Sequence, residues 1–273
     1  MKVAILGPRG TYAEMAARMQ FGERAVMAPY PTITEVVEAV AKGEAEVGVI
    51  PIESLREGSV GEALDALALR DDIKAQTEVL LPITHSLLGV RGAKIKQITQ
   101  VLSHPQAIAQ CREFLYKTLP NAELIEVTST AKAAEQVSKL KQPHMAAIGP
   151  SALAEIYDLD VLKDNIQTGE LNITRFIIVA KEDSKPTGHN KTLIVFWVVD
   201  KPGVLHEILS EFAKRNINLT KIESRPSKKT LGDYFFLVDF EGHREDPVSK
   251  EALGAVKKKA AKLKIIGSIT TTT

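Results

Sequence analysis

The chain of 273 residues contains a single cysteine, Cys111, so it cannot close an internal disulfide, and its histidines and cysteine show no metal-ligand spacing. Charge of neither sign dominates, since 35 Lys and Arg stand against 34 Asp and Glu. With one tryptophan, 5% aromatic residues and no basic block beyond "VKKKAAKLK" at residues 256–264, nucleic acid is not an expected partner. Those lysines, at helical spacing, read as a solvated face. No apolar run approaches the roughly 18 residues of a membrane span. "MKVAILGPRG" begins like a signal peptide but meets Gly7 and Pro8 at once, so the expected location is the cytoplasm, without membrane attachment. Cys111, in "AIAQCREFL", reads as a buried thiol on an amphipathic helix, because nucleophilic use requires a His or Lys partner.

What is present is an ordinary globular composition, 44% hydrophobic and 25% charged. At about 100 to 200 residues per domain, the length suits two domains. Apolar runs alternate with helical patterns from the start: "KVAILG" then "TYAEMAARMQF", "AVMAPY" then "ITEVVEAVAKG", "AEVGVIP" then "VGEALDALAL". This rhythm predicts parallel βαβ units in a helix-covered sheet. An internal echo links residues 32–54 with residues 128–152: a Thr-rich helix start, a polar turn, an apolar strand, a proline and a serine. Each copy puts a strand's carboxyl end beside a helix amino terminus, where open α/β sheets bind ligands. Two lobes facing one cleft are expected, joined by crossing strands at residues 76–92 and 171–183. That layout is periplasmic-binding-protein-like.

The polar stretch "KEDSKPTGHNK" at residues 181–191 reads as a linker. Beyond it the pattern becomes βαββαβ, the ferredoxin-like order. Pro202 and Gly203 open its first helix, "SKKTLGD" at residues 227–233 joins its middle strands as a hairpin, and the terminal "TTTT" is expected to fray.

Polar motifs gather at strand ends and helix starts. "GPRGTYAE" places Thr11 as a helix cap, where backbone N–H groups favour an anion. "VIPIESLREGSV" presents Glu53, Ser54 and Ser59, with Gly58 and Ser59 read as a helix start. "SHPQA" offers Ser103 and Gln106, "TSTAKAA" offers Ser129, and "NITRF" offers Asn172, Thr174, Arg175 and Phe176. Singly, each also has an ordinary reading as a cap, a strand end or a sheet pair. By the period of two, Arg175 points away from Thr174 and suits a structural ion pair. Glu53 is either an acid or a salt-bridge partner of Arg56 or Arg175.

With "SHPQAIAQC" and "DKPGVLHEILSEFAKRNINLTKIESRP", these motifs in this order resemble the prephenate dehydratases with a C-terminal ACT domain, over nearly the whole chain. The resemblance implies an α/β architecture. Its catalytic domain, residues 1–185, is a bilobed periplasmic-binding-protein-like (type II) unit of two α/β subdomains, lobe 1 over about 1–80 plus 168–183 and lobe 2 over about 81–167. A ferredoxin-like βαββαβ ACT domain follows at residues 190–273. The implied reaction converts prephenate to phenylpyruvate, water and carbon dioxide. Aromatisation drives it, so no cofactor or metal is required.

On this reading Thr174 and Glu53 are the catalytic candidates, while Thr11, Ser54, Ser103, Gln106, Ser129, Asn172, Arg175 and Phe176 bind substrate. Gly203, Val204, Leu205, Glu223, Ser224, Arg225 and Pro226 match segments that bind phenylalanine between paired ACT domains, implying feedback control and a homodimer or homotetramer. Ser54 and Leu55 stand where the family commonly has Asn-Ser, and His206 replaces the commoner residue of the effector segment. Arogenate dehydratase, which acts on the amino analogue, and a non-catalytic amino-acid sensor are the alternative readings.

Overall fold

In the first lobe, apolar strands alternate with helices, the first two of them capped by threonine hydroxyls. The elements are β1 (Lys2–Leu6), α1 (Tyr12–Phe21), β2 (Val26–Tyr30), α2 (Ile33–Lys42), β3 (Val47–Ser54), β4 (Gly58–Ser59), α3 (Gly61–Leu69) and β5 (Lys74–Pro82). Thr11 caps α1 by accepting the Glu14 N–H, and Thr32 caps α2 by accepting that of Glu35. Gly43, at φ +77°, ends α2 in the left-handed conformation that glycine adopts without a Cβ clash.

The second lobe contains β6 (Ser86–Val90), β7 (Gln100–Ser103), α4 (Pro105–Gln110), α5 (Arg112–Thr118), β8 (Glu123–Glu126), α6 (Thr130–Leu140), β9 (Met145–Gly149), α7 (Leu153–Tyr157) and β10 (Leu159–Lys163). The chain returns to the first lobe through β11 (Ile173–Ala180). It then builds β12 (Asn190–Trp197), α8 (Val204–Ala213), β13 (Leu219–Pro226), β14 (Tyr234–Glu241), α9 (Pro247–Lys259) and β15 (Lys262–Thr270), the βαββαβ order. This computed structural model describes residues 1–169, 171–226 and 234–271. The hairpin expected at residues 227–233 lies outside them.

β1 runs parallel to β2 and β3, and β7 parallel to β8 and β9, as the alternation predicts. The crossing strands differ: β11 is antiparallel to both β3 and β5, and β6 is antiparallel to β9 and β10. The crossing expected as one strand over residues 76–92 breaks between β5 and β6, which belong to different sheets. Gly58 and Ser59 do not start a helix. They fold back as β4, with Ser59 opposite Glu53, and α3 starts at Gly61.

One sheet spans the first lobe and the C-terminal module, in the order β13-β14-β12-β15-β5-β11-β3-β1-β2, while the second lobe has its own sheet, β10-β6-β9-β7-β8. The join sets β15 beside β5, with Thr270 opposite Thr77. Gly267 permits this close approach, because a Cβ there would lie 2.1 Å from the Ala75 carbonyl oxygen. The tail expected to fray is therefore partly held: Thr270 is in the strand, and the Thr271 N–H donates to the His189 carbonyl.

A shared core reinforces the join. Leu64 and Leu67 of α3 pack in one cluster with Leu193, Val195, Leu237 and Ile266. Phe196, Phe212 and Phe240 fill the opposite face of the same sheet, under α8 and α9. Cys111 is fully buried in the second lobe, and burial pushes its thiol up to about 12, so it is an inert core residue. No helix among the described residues is long and apolar enough to cross a membrane.

Candidate active site

A cleft of about 560 Å³ lies between the lobes. Tyr12 and Ala13, in the first turn of α1, line it from one lobe, and Ser129 and Thr130, at the start of α6, line it from the other. First-turn N–H groups have no carbonyl partner within their helix, so both lobes offer donors and a helix dipole to an anion. The described lining contains no Lys or Arg. Anionic groups there meet amides, hydroxyls and helix ends rather than a fixed cation.

Alternation along β11 sends Asn172, Thr174 and Phe176 to the cleft, and Ser54 of β3 lies opposite Thr174. The hydroxyls differ in what they can still offer. Thr11 donates to the Leu6 carbonyl at 2.8 Å while accepting the Glu14 N–H, so cap and strand end hold it in place. Ser129 accepts the Lys132 N–H at 3.0 Å and keeps its own proton available. Ser54 accepts the Arg56 and Glu57 N–H groups at 3.3 and 3.4 Å, closing the turn that leads to β4. Leu55 beside it is exposed. The Thr174 hydroxyl and the Gln106 side-chain amide have no protein partner among the described residues.

Three expected site residues fall outside the cleft. Glu53 points to the opposite side of β3 from Ser54, where Lys221 Nζ lies 3.0 Å from its carboxylate and Arg175 lies 3.8 Å away. Ser103 is fully buried and donates to the Ile148 carbonyl at 2.7 Å, tying β7 to β9. Arg175 is enclosed between Glu78 at 2.7 Å and Asp239 at 2.6 Å. Burial works against its charge, but the two carboxylates outweigh that and keep the guanidinium protonated. The period of two accounts for Glu53 and Arg175: each neighbours a cleft residue in sequence and so faces away from it.

The lining also includes Tyr12, Glu57, His85, His104 and Gln110, none of which was expected. Glu57, not Glu53, is the carboxylate on the wall. His104 caps α4 by accepting the Gln106 N–H at its Nδ1, and burial lowers its pKa. One signal for Gln110 was present: it follows Gln106 by one helical turn within "SHPQAIAQC". Tyr12 follows the capping residue, and His85 sits in the break between β5 and β6, so periodicity pointed to neither.

The expected effector residues lie on two elements of the ACT domain, the start of α8 and β13. Glu223 and Arg225 face the catalytic domain, where Arg225 pairs with Asp65 at 2.9 Å and with Glu223 at 3.4 Å. Ser224 and Pro226 alternate with them and are exposed. Gly203, at φ +84°, precedes α8, and Val204 and Leu205 follow it, Val204 buried in the helix-covered core.

Family models of prephenate dehydratase and of the ACT domain match residues 3–184 and 192–258. A bifunctional chorismate mutase/prephenate dehydratase of Aquifex aeolicus is 45% identical over 268 residues, 98% of this chain and 73% of that protein. A prephenate dehydratase of Methanocaldococcus jannaschii is 42% identical, with 87% of each chain covered. Among solved structures, a prephenate dehydratase from Arthrobacter aurescens in complex with L-Phe superposes with a TM-score of 0.92 at 35% identity, covering 99% of this chain and 90% of that one. Fold, cleft and these likenesses agree: the chain belongs to the prephenate dehydratase family and carries an ACT domain at its C-terminal end.

Proposed function

We propose that the interlobe cleft is where this prephenate dehydratase converts prephenate to phenylpyruvate, with Thr174 hydrogen-bonded to the departing hydroxyl. The C–C bond to the ring carboxylate breaks and its electron pair enters the ring. The C–O bond breaks with its pair on oxygen, and one proton completes the water. The observation that carries the assignment is that, among the described residues, the Thr174 hydroxyl has no partner and the cleft wall includes no Lys or Arg. A carboxylate held by neutral donors is easier to lose as carbon dioxide than one fixed by a cation, since that ion pair would stabilise the ground state.

Gln106, Ser129, Asn172, Thr11 and Ser54 surround the substrate as neutral hydrogen-bonding groups, and Phe176 forms part of the apolar wall. The catalytic unit is residues 1–185, in the two lobes expected from the sequence, and residues 190–273 form the regulatory unit. Phenylalanine is proposed as the effector, supported by the L-Phe complex of the Arthrobacter relative. Gly203, Val204, Leu205 and Ser224 are its contacts, with Glu223, Arg225 and Pro226 completing the segment. These segments match ones that in the family bind phenylalanine between paired ACT domains, so the proposed assembly is a homodimer or homotetramer.

The test is direct. Purified protein is incubated with prephenate and, separately, arogenate, and phenylpyruvate or phenylalanine is followed. Turnover of prephenate is expected, with Thr174→Ala slowed by roughly 10²-fold or more at unchanged stability. A folded wild type inert toward prephenate overturns the enzymatic reading, and preferred turnover of arogenate replaces the substrate. Phenylalanine added to the same assay, with sizing of the oligomer, tests the effector; indifference in both activity and binding removes it.

A further inference from the structure

The part of the cleft wall built by residues 54–60 is held from outside the lobe that contains it. Ser54, Glu57, Gly58, Ser59 and Val60 line the cleft, and they belong to a hairpin whose second strand, β4, has only two residues. Ser59 pairs with Glu53, Gly58 with Ser54, and the Val60 N–H donates to the Ile52 carbonyl at 3.0 Å. A hairpin this short is marginal unless it packs against something else. What it meets is β13 of the ACT domain. Lys221 Nζ donates to the Ser59 hydroxyl at 2.6 Å and lies 3.0 Å from the Glu53 carboxylate and 3.9 Å from that of Glu223. One ammonium, on a side chain only 11% exposed, therefore spans both strands of the hairpin.

Arg225 of the same strand holds the segment that follows β4. It pairs with Asp65 of α3 at 2.9 Å, and a Cβ on Gly61, where α3 begins, would lie 2.7 Å from its guanidinium. By the period of two, Lys221, Glu223 and Arg225 turn inward while Ile222, Ser224 and Pro226 are exposed. One face of β13 is thus committed to the β4–α3 segment. An ammonium can only donate, so Ser59 accepts, and a hydrogen bond from a charged donor is among the stronger ones.

We infer that Lys221 of the ACT domain is a positioning residue for the reaction, fixing through the Ser59 hydroxyl the β4 wall against which substrate binds. The inference rests on the cleft being the substrate site. No residue of β13 lines the cleft, so Lys221 acts only through Ser59 and its hairpin. The affinity of the cleft for substrate then depends on where β13 sits. A pair that merely tied the two domains together would lower stability on removal and leave substrate affinity alone.

Two measurements test this, one of them independent of turnover. Lys221→Met removes the ammonium and keeps an apolar stem; in it the Val60 N–H is expected to exchange with deuterium at least about tenfold faster, while the amides of β1 stay as protected as in wild type. Lys221→Met and Ser59→Ala are each expected to raise the prephenate KM by roughly fivefold or more with kcat within about twofold, and the double variant no further than either alone. Lys221→Arg, which keeps donors for Ser59 and Glu53, is expected to restore most of the affinity. An unchanged KM in Ser59→Ala overturns the inference, as do effects that multiply in the double variant or an unchanged Val60 exchange. If Lys221→Met does not fold, Ser59→Ala, which leaves the Lys221–Glu53 pair in place, decides the question by KM and Val60 exchange alone. A folded wild type inert toward prephenate removes the functional reading and the role in the reaction with it, while the exchange data still decide whether Lys221 holds the wall.

Discussion

Lys221 Nζ of the ACT domain lies 3.0 Å from the Glu53 carboxylate and donates to the Ser59 hydroxyl at 2.6 Å, joining β13 to the β3–β4 hairpin. Ser59 lines the cleft and Glu53 does not, so through the Ser59 hydroxyl the ACT domain reaches a residue of the cleft wall itself. Removing the charge of Glu53 tests this placement. Glu53→Gln is expected to keep kcat within about threefold of wild type while weakening the interdomain contact by about 1 kcal/mol, as for a part-exposed pair. Steady-state kinetics and urea unfolding measure the two effects. A collapse of kcat in a protein of normal stability would return Glu53 to the chemistry.

Arg175 is the more deeply committed interdomain residue. Arg175→Leu leaves Glu78 and Asp239 buried without their cation, and the expected loss of stability is about 3 to 5 kcal/mol. Urea denaturation reads it. A loss below about 1 kcal/mol would mean that the two carboxylates find other partners or take up protons.

The lobes meet at Gly10. A Cβ there would lie 2.4 Å from Leu153 Cδ2, and at φ +82° the backbone also resists an L side chain. Gly10→Ala is expected to displace α7 from the GPRG turn and raise the prephenate KM more than it lowers kcat. Kinetics indistinguishable from wild type would show that the lobes need not meet at this point during turnover.

Glu211 gives a pH signature to the ACT domain. Bonds to Lys259, Arg215 and Lys214 hold its carboxyl down at about 2. A depressed folded pKa contributes stability that is present above the unfolded value of about 4.3 and is lost as pH falls through the folded value. Between about pH 4.5 and 2, Glu211→Gln should therefore lose less Tm than wild type, and added salt should shrink the difference. Parallel Tm-against-pH curves for the two proteins would contradict this.

Much of the fold was legible in the chain because local rules carried it. Thr11, Thr32 and Ser129 cap helices as their positions predict, strand and helix alternate as the apolar rhythm demands, and the βαββαβ order follows from the same periods. The cleft was legible in part. Asn172, Thr174 and Phe176 share a face by the period of two, and that same rule turned Arg175 away.

The rest depended on contacts between distant segments. The amino-acid sequence by itself determined the secondary structure, the division into repeating units and the family, since these follow from periodicity, caps and ordered motifs. Only the tertiary structure decided that Glu53 faces Lys221, that Ser103 is held by Ile148, and that Tyr12, His85, Gln110 and Asn172 are linked by hydrogen bonds. Partners 25 to 168 residues apart are brought together by crossing strands and edge pairing, and no local pattern encodes which distant donor meets which acceptor.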